Sequence, residues 1–150
     1  MNADQRLSEL GYSLPEPPSP GGNYVSAKVV GSLVFLSGVI SIDERGVMTG
    51  CVGKDRTVED GYAAARQCAL MQLAVLKRTL GSLDRIKQIV SVNGYVNAAA
   101  GFPDSPRVIN GASDLFVEIL GDSGRHVRAA VGVAALPRNA MVEIQMSVEI

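Results

Sequence analysis

Strict alternation over the last ten residues constrains this chain more than anything else in it. Val142, Ile144, Met146, Val148 and Ile150 alternate with Met141, Glu143, Gln145, Ser147 and Glu149. A period of two sends the two sets to opposite sides of a strand, one side apolar and the other mostly polar. The chain therefore contains a sheet with one face against a core. Just upstream, Val127, Val131 and Val133 alternate with Arg128, Ala130 and Gly132, and Leu136-Pro137-Arg138-Asn139 is a turn between the two strands. Arg128 stands alone among small side chains. An unpaired buried guanidinium is costly, so it must reach water, an acid or a ligand.

The preceding chain supplies the partners of this sheet. Gln5 to Tyr12 reads as a short amphipathic helix with Leu7 and Leu10 on one side, stopped by Gly11. Pro15-Glu16-Pro17-Pro18-Ser19-Pro20-Gly21-Gly22 is an extended arm. Residues 1–22 are set apart in this way from a domain over 23–150. Tyr24 to Val30 and Leu33 to Ile42 form a strand pair joined at Gly31-Ser32. The second of these is apolar on both faces and is expected to be central, with Gly38 marking a bulge or a close approach. Asp43-Glu44-Arg45-Gly46 is a turn. Thr57 to Leu80 is the strongest helix: Thr57 and Asp60 resemble a capping box, Val58, Tyr62, Ala65, Ala69, Leu73, Leu76 and Leu80 form a stripe, and Gly81 ends it. Ile86 to Asn97 returns as a strand, and Arg107 to Leu120 forms a second helix. The order β-β-α-β-α-β-β predicts an α+β domain, a mixed sheet with two helices on one face. The other face is expected to carry Arg128, Ala130, Gly132, Glu143 and Gln145 and to pack against further copies of the chain.

Composition narrows the functional classes. At 150 residues, with 47% hydrophobic and 19% charged residues, the chain suits one compact domain. A net charge of -1 offers no basic field for nucleic acid. No apolar run is long enough to cross a membrane, and Met1-Asn2-Ala3-Asp4-Gln5-Arg6 lacks the pattern of a signal peptide, so a cytoplasmic location is expected. Cys51 and Cys68 have no metal or redox spacing and read as free packing thiols. His126 is the only histidine, which excludes a histidine-rich metal site, and no Gly-x-Ser-x-Gly elbow or phosphate-binding loop is present.

Arg128-x-x-Val131-x-Val133-x-x-Leu136-Pro137 followed by Val142-Glu143-Ile144 resembles the C-terminal signature of the RidA/YjgF family, the reactive-intermediate deaminases also labelled L-PSP endoribonucleases. The resemblance implies a chorismate-mutase-like fold with a mixed six-stranded sheet, a homotrimer with clefts between subunits, and hydrolysis of reactive 2-imino acids to 2-keto acids and ammonia without metal or cofactor. It makes Arg128 the anchor for a substrate carboxylate and Glu143 the acid that holds the water. Tyr24, in Asn23-Tyr24-Val25-Ser26, and Asn110, in Ile109-Asn110-Gly111-Ala112, match family positions expected to shape the pocket from a neighbouring chain. Ser37 and Gly38 match a family Ser-Gly whose backbone approaches the ligand, and Ala130 would line the same wall. Two positions depart from the pattern. Val39 follows Ser37-Gly38 where active deaminases commonly have Gln, and Ala130 stands where many have Cys. These substitutions keep a second reading open, a non-catalytic binder of small carboxylate metabolites. The endoribonuclease label gains nothing from the charge.

Overall fold

The computed structural model describes residues 2–150. Five successive neighbours form the main sheet, β1 (Ala27–Val30), β2 (Leu33–Leu36), β8 (Val142–Glu149), β6 (Gln88–Asn97) and β7 (Val127–Val133). A sixth strand, β3 (Val39–Ile40), follows β2 along the same edge of β8. All pairs are antiparallel except β6 with β7, the two strands joined by a helical crossover. A separate hairpin of β4 (Ile42–Asp43) and β5 (Gly46–Val47) closes around the expected turn. The fold class is the expected α+β one, and the alternating C-terminal strand β8 lies at its centre.

Two long helices cover one face. In α2 (Val58–Leu80), Thr57 accepts from the Asp60 N–H while Asp60 accepts from the Thr57 N–H, and Gly81 ends the helix with φ 86°. Such a cap stabilises by about 1 kcal/mol. The helix is buried more widely than its expected stripe, since Leu70, Met71, Gln72 and Val75 are also covered. The reason is that α2 has neighbours on several sides: the sheet, α3 (Ser105–Leu120) and the N-terminal segment. Val92, Val96, Ile144, Met146 and Val148 of the sheet meet Leu73 and Leu76 of α2 and Val108, Ile109 and Phe116 of α3 in one core. Each fully buried Leu or Ile there stabilises by roughly 1.5–3 kcal/mol. Where α2 and α3 cross, a Cβ added at Gly111 would overlap the carbonyl oxygen of Tyr62, so the helices approach almost backbone to backbone.

The N-terminal helix α1 is Ala3–Glu9, capped by Asn2 and Gln5 and ending two residues before Gly11. Leu7 is buried as expected, but Leu10 is 38% exposed because the helix has already ended there. Asp4 ties α1 to the far end of α2 through Lys77 at 2.8 Å and Ser82 at 3.0 Å. The Pro-rich arm then runs back along the molecule, with Arg78 donating to the Pro17 carbonyl.

Two expectations are corrected. Leu33 to Ile42 is not one central strand. It breaks at Ser37-Gly38 into β2 and β3, and its outer residues Leu33 and Phe35 are exposed in the single chain. The second correction concerns faces. Arg128 pairs in register with Val92, and Ala130 with Gly94, on the side covered by the helices, whereas Glu143 pairs with Tyr95 on the open side. Arg128, Ala130 and Gly132 thus face α3, and Val127 and Val131 face outward, 70% and 45% exposed. The register carries this reversal, and β7 tolerates it as an edge strand, where a long Arg stem reaches polar partners on the helix beside it.

Candidate functional site

Glu143 sits on the open face of β8 against the break between β2 and β3. A Cβ added at Gly38 would lie 2.6 Å from Glu143 Oε2 and 3.2 Å from its Cδ. The close approach anticipated at Gly38 is therefore made by the Glu143 carboxylate. The break is held from the helix side: Gln72 of α2 donates through Nε2 to the carbonyls of both Ser37 and Ile144, each at 2.9 Å. Ser37 also donates through its N–H to Ser26 O at 2.9 Å and through Oγ to Val25 O at 2.7 Å. A buried glutamine with two carbonyl acceptors fixes the strand break that makes room for a carboxylate. Sequence reasoning passed over Gln72, whose signal was a polar side chain on the apolar side of the strongest helix.

Around Glu143 lies a cavity of about 450 Å³. Its walls include Ser37, Gly38, Val39 and Ile40 from the strand break, Met71 and Val75 from α2, Pro18 to Gly21 and Tyr24 from the arm, and Pro137 and Arg138 from the turn before β8. Tyr24 Oη accepts from the Gly21 N–H at 3.0 Å, which fastens the arm's last turn over the opening. Arg138 is the one cation on this wall among the described residues. It and Asn139 hold left-handed backbone, φ 55° and 58°, a conformation that costs non-glycine residues of order 1 kcal/mol each. None of the ion pairs among the described residues reaches Glu143. Burial alone holds its carboxyl above the usual carboxylate range. A raised, unpaired carboxylate beside an apolar wall is suited to orient water or accept a proton.

The other matched residues form a second group. Arg128 Nη1 donates to Ser113 Oγ at 3.0 Å and Nη2 to the Pro106 carbonyl at 3.1 Å, both on α3. Asn110 lies between those two residues at one-turn spacing, on the same face of α3 and in its second turn. Ala130 follows Arg128 on the same side of β7. Tyr24 and Asn110, both expected to shape the pocket from a neighbouring chain, are separated: Tyr24 is with Glu143 and Asn110 with Arg128. The two groups lie on opposite faces, on strands separated by β6, about 10 Å apart at the usual strand spacing. Within one chain they do not meet.

His126 borders the second group. Its Nδ1 lies 2.7 Å from the Gly124 carbonyl and its Nε2 2.9 Å from Ser113 Oγ, with the Phe116 ring edge-on at 5.9 Å. Burial, with a smaller contribution from the Arg128 charge, holds the imidazole below its ordinary range against the opposing pull of the Gly124 carbonyl. Cys68 is fully buried on α2 and its thiol is pushed up mainly by burial, the behaviour of a packing residue. Among the described residues no three His, Cys, Asp or Glu side chains gather to hold a metal ion, and no helix is long and apolar enough to cross a membrane.

A sheet of this order with two helices on one face is the chorismate-mutase-like fold, and the chain belongs to the family described as "YjgF/chorismate_mutase-like, putative endoribonuclease", whose model matches residues 4–150. It is 44% identical over 146 residues to protein TCP17 of Trypanosoma cruzi, covering 96% of this chain and 91% of that one. It is 31% identical over 140 residues to the 2-iminobutanoate/2-iminopropanoate deaminase of Dermatophagoides farinae, covering 92% and 94%. Among solved structures, one from Shewanella oneidensis titled a "putative endoribonuclease" superposes with a TM-score of 0.96 at 35% identity and full coverage of both chains.

Proposed function

We propose that this protein is an imine deaminase that assembles as a homotrimer and converts reactive 2-imino acids into 2-keto acids and ammonia at sites between subunits. The observation that carries the reading is the division of the matched residues into two halves. One chain offers Glu143, Gly38, Ser37 and Tyr24 around a cavity, and Arg128, Ala130 and Asn110 lie on the other side of the sheet. Joining the halves requires a second chain. The uncovered sheet face supports such an assembly, since Leu33, Phe35, Val127 and Val131 leave it with more exposed apolar surface than a lone chain needs.

The chemistry asks little of the protein. In the bound imino acid, Arg128 of one chain holds the carboxylate through a two-pronged hydrogen bond. Glu143 of the next orients a water toward the C=N carbon and takes its proton as the C–O bond forms. Glu143 passes that proton to the imine nitrogen to give the carbinolamine, then carries the hydroxyl proton to the same nitrogen as the C–N bond breaks, so that ammonia leaves, the C=O of the keto acid remains and the carboxylate is regenerated. Overall, imine plus water gives ketone plus ammonia. Positioning and electrostatics supply the acceleration. Similarity to the mite deaminase supports this reaction class.

The second reading, a carboxylate-binding protein without turnover, is favoured by Val39, an apolar side chain on the cavity wall beside Glu143. One experiment separates the two. Ammonia and keto-acid release from 2-iminobutanoate, generated in situ, is measured for wild type, Arg128→Ala and Glu143→Gln. A deaminase loses activity in both variants with its oligomer intact. Wild-type protein that binds 2-oxobutanoate but never accelerates hydrolysis would leave the binding reading in its place. An endoribonuclease is not proposed, for want of a basic field.

A further inference from the structure

Ser113 stands between the only histidine of the chain and the proposed carboxylate anchor. The Gly124 carbonyl can only accept, so at 2.7 Å it requires the proton of His126 on Nδ1. Nε2 of the neutral ring is then an acceptor, and it faces Ser113 Oγ at 2.9 Å. The hydroxyl has one proton to give and lone pairs to offer. It gives the proton to His126 and accepts from Arg128 Nη1 at 3.0 Å. The bonds thus run in one direction, from Arg128 to Ser113 to His126, while the ring's other nitrogen donates to Gly124. A second guanidinium nitrogen is tied to the Pro106 carbonyl at 3.1 Å, and the N–H groups not used in these bonds are left for a ligand. Little else competes for the hydroxyl. Among the described residues Arg128 is the one charge facing the ring, Asp122 and Arg125 pair with one another in solvent, and Asp114, next to Ser113, accepts from Tyr62.

We propose that Ser113 and His126 are positioning residues, a directional hydrogen-bond relay that fixes the Arg128 guanidinium for a carboxylate ligand. This rests on the reading of Arg128 as the anchor. A long Arg side chain on an edge strand has many rotamers, and most would point its donors into water. The relay selects one before the ligand arrives, which lowers the ordering cost of binding. Neither residue needs to touch substrate, so each acts through Arg128 alone.

The test uses the full chain and 2-oxobutanoate as the carboxylate probe, its affinity measured by calorimetry. Ser113→Ala and His126→Asn are each expected to weaken binding about fivefold to tenfold, the loss typical of one intramolecular hydrogen bond. The double variant is expected to be no weaker than the worse single one, and Ser113→Thr to stay near wild type. In turnover, KM rises in the single variants while kcat changes little. A lone histidine also gives one set of imidazole nitrogen signals by NMR, and these are expected to report the Nδ1–H form at neutral pH. An Nε2–H form overturns the relay without any substitution. So do singles within twofold of wild type when Arg128→Ala abolishes binding. Wild-type affinity in Arg128→Ala would instead remove the anchor, and the relay with it.

Discussion

If the two halves of the site belong to different chains, two dead variants should revive one another. Arg128→Ala removes the carboxylate anchor and leaves the Glu143 cavity whole, and Glu143→Gln does the reverse. Because β7 and β8 are separated by β6 and the two side chains point to opposite faces, no single chain presents both halves to one ligand. In a cyclic oligomer each site takes its Arg from one chain and its Glu from the next. When the variants are co-expressed in equal amounts, half of the chains carry an intact Arg and half an intact Glu. About one quarter of the sites then receive both, so the mixture is expected to reach about one quarter of wild-type activity per site. A second mixture checks the same logic: wild type co-assembled with the double variant Arg128→Ala/Glu143→Gln should also give about one quarter, since both halves must be drawn from wild-type chains, against about one half if each chain is self-sufficient. Ammonia release from 2-iminobutanoate is the assay, with light scattering to establish the oligomer. Co-assembled variants that remain as inactive as each one alone, with the second mixture at half, would refute the divided site.

Three further outcomes follow from the packing. Gly38→Ala places a methyl 2.6 Å from Glu143 Oε2, against about 3.4 Å for ordinary contact, so the carboxylate must move by about 0.8 Å; a displacement of this size is expected to lower kcat by about 10- to 100-fold, with a urea midpoint close to wild type. Gly111→Ala sets a methyl against the Tyr62 backbone carbonyl, which cannot swing aside; it is expected to cost at least about 1–3 kcal/mol in unfolding free energy, and a wild-type urea midpoint would contradict the close helix crossing. Glu143 has a folded pKa raised by burial above the ordinary value of 4.5. Its contribution to stability is fully present below that value and is lost as pH rises through the folded pKa, so Glu143→Gln should gain on wild type over the range above that value in denaturation at fixed protein concentration. An unchanged difference across that range would show that the carboxylate is not desolvated.

Most of the architecture was legible because local and tertiary signals agreed. Thr57, Asp60 and Gly81 delimit α2 by capping chemistry that any environment would respect, and the structure places all three in those roles. The ten-residue alternation around Glu143 likewise became a strand with Val142, Ile144, Met146 and Val148 buried. Tertiary partners were less legible. Gln72 has its role only through two carbonyl acceptors that lie 35 and 72 residues away in sequence. Ser113 had no signal at all, being one polar residue on an amphipathic helix. Its importance comes from His126 and Arg128 arriving across the α3–β7 connection.

The reversed faces of β7 show why alternation alone does not say which side of a strand is covered. Apolar content favoured Val127, Val131 and Val133 for the core and Arg128 for the outside, on the assumption that a single chain buries its most apolar row. The pairing with β6 contradicts this, because Val92 and Gly94 are under the helices and carry Arg128 and Ala130 with them. An edge strand can accept such an arrangement when its polar residue is long enough to leave the core, and Arg128 does so toward Pro106 and Ser113. The valines then have no cover within the chain. A row of Val127 and Val131 facing outward beside Tyr95, on the same side as Leu33 and Phe35, is unfavourable for a monomer in water and favourable against another subunit. Charged substitution there tests the point. Val131→Asp, on a residue 45% exposed in the single chain, is expected to dissociate the assembly by burying an unpaired carboxylate while each chain stays folded. Activity should fall with dissociation although Arg128 and Glu143 are untouched. Dissociated chains that kept full activity would show that one chain contains the whole site.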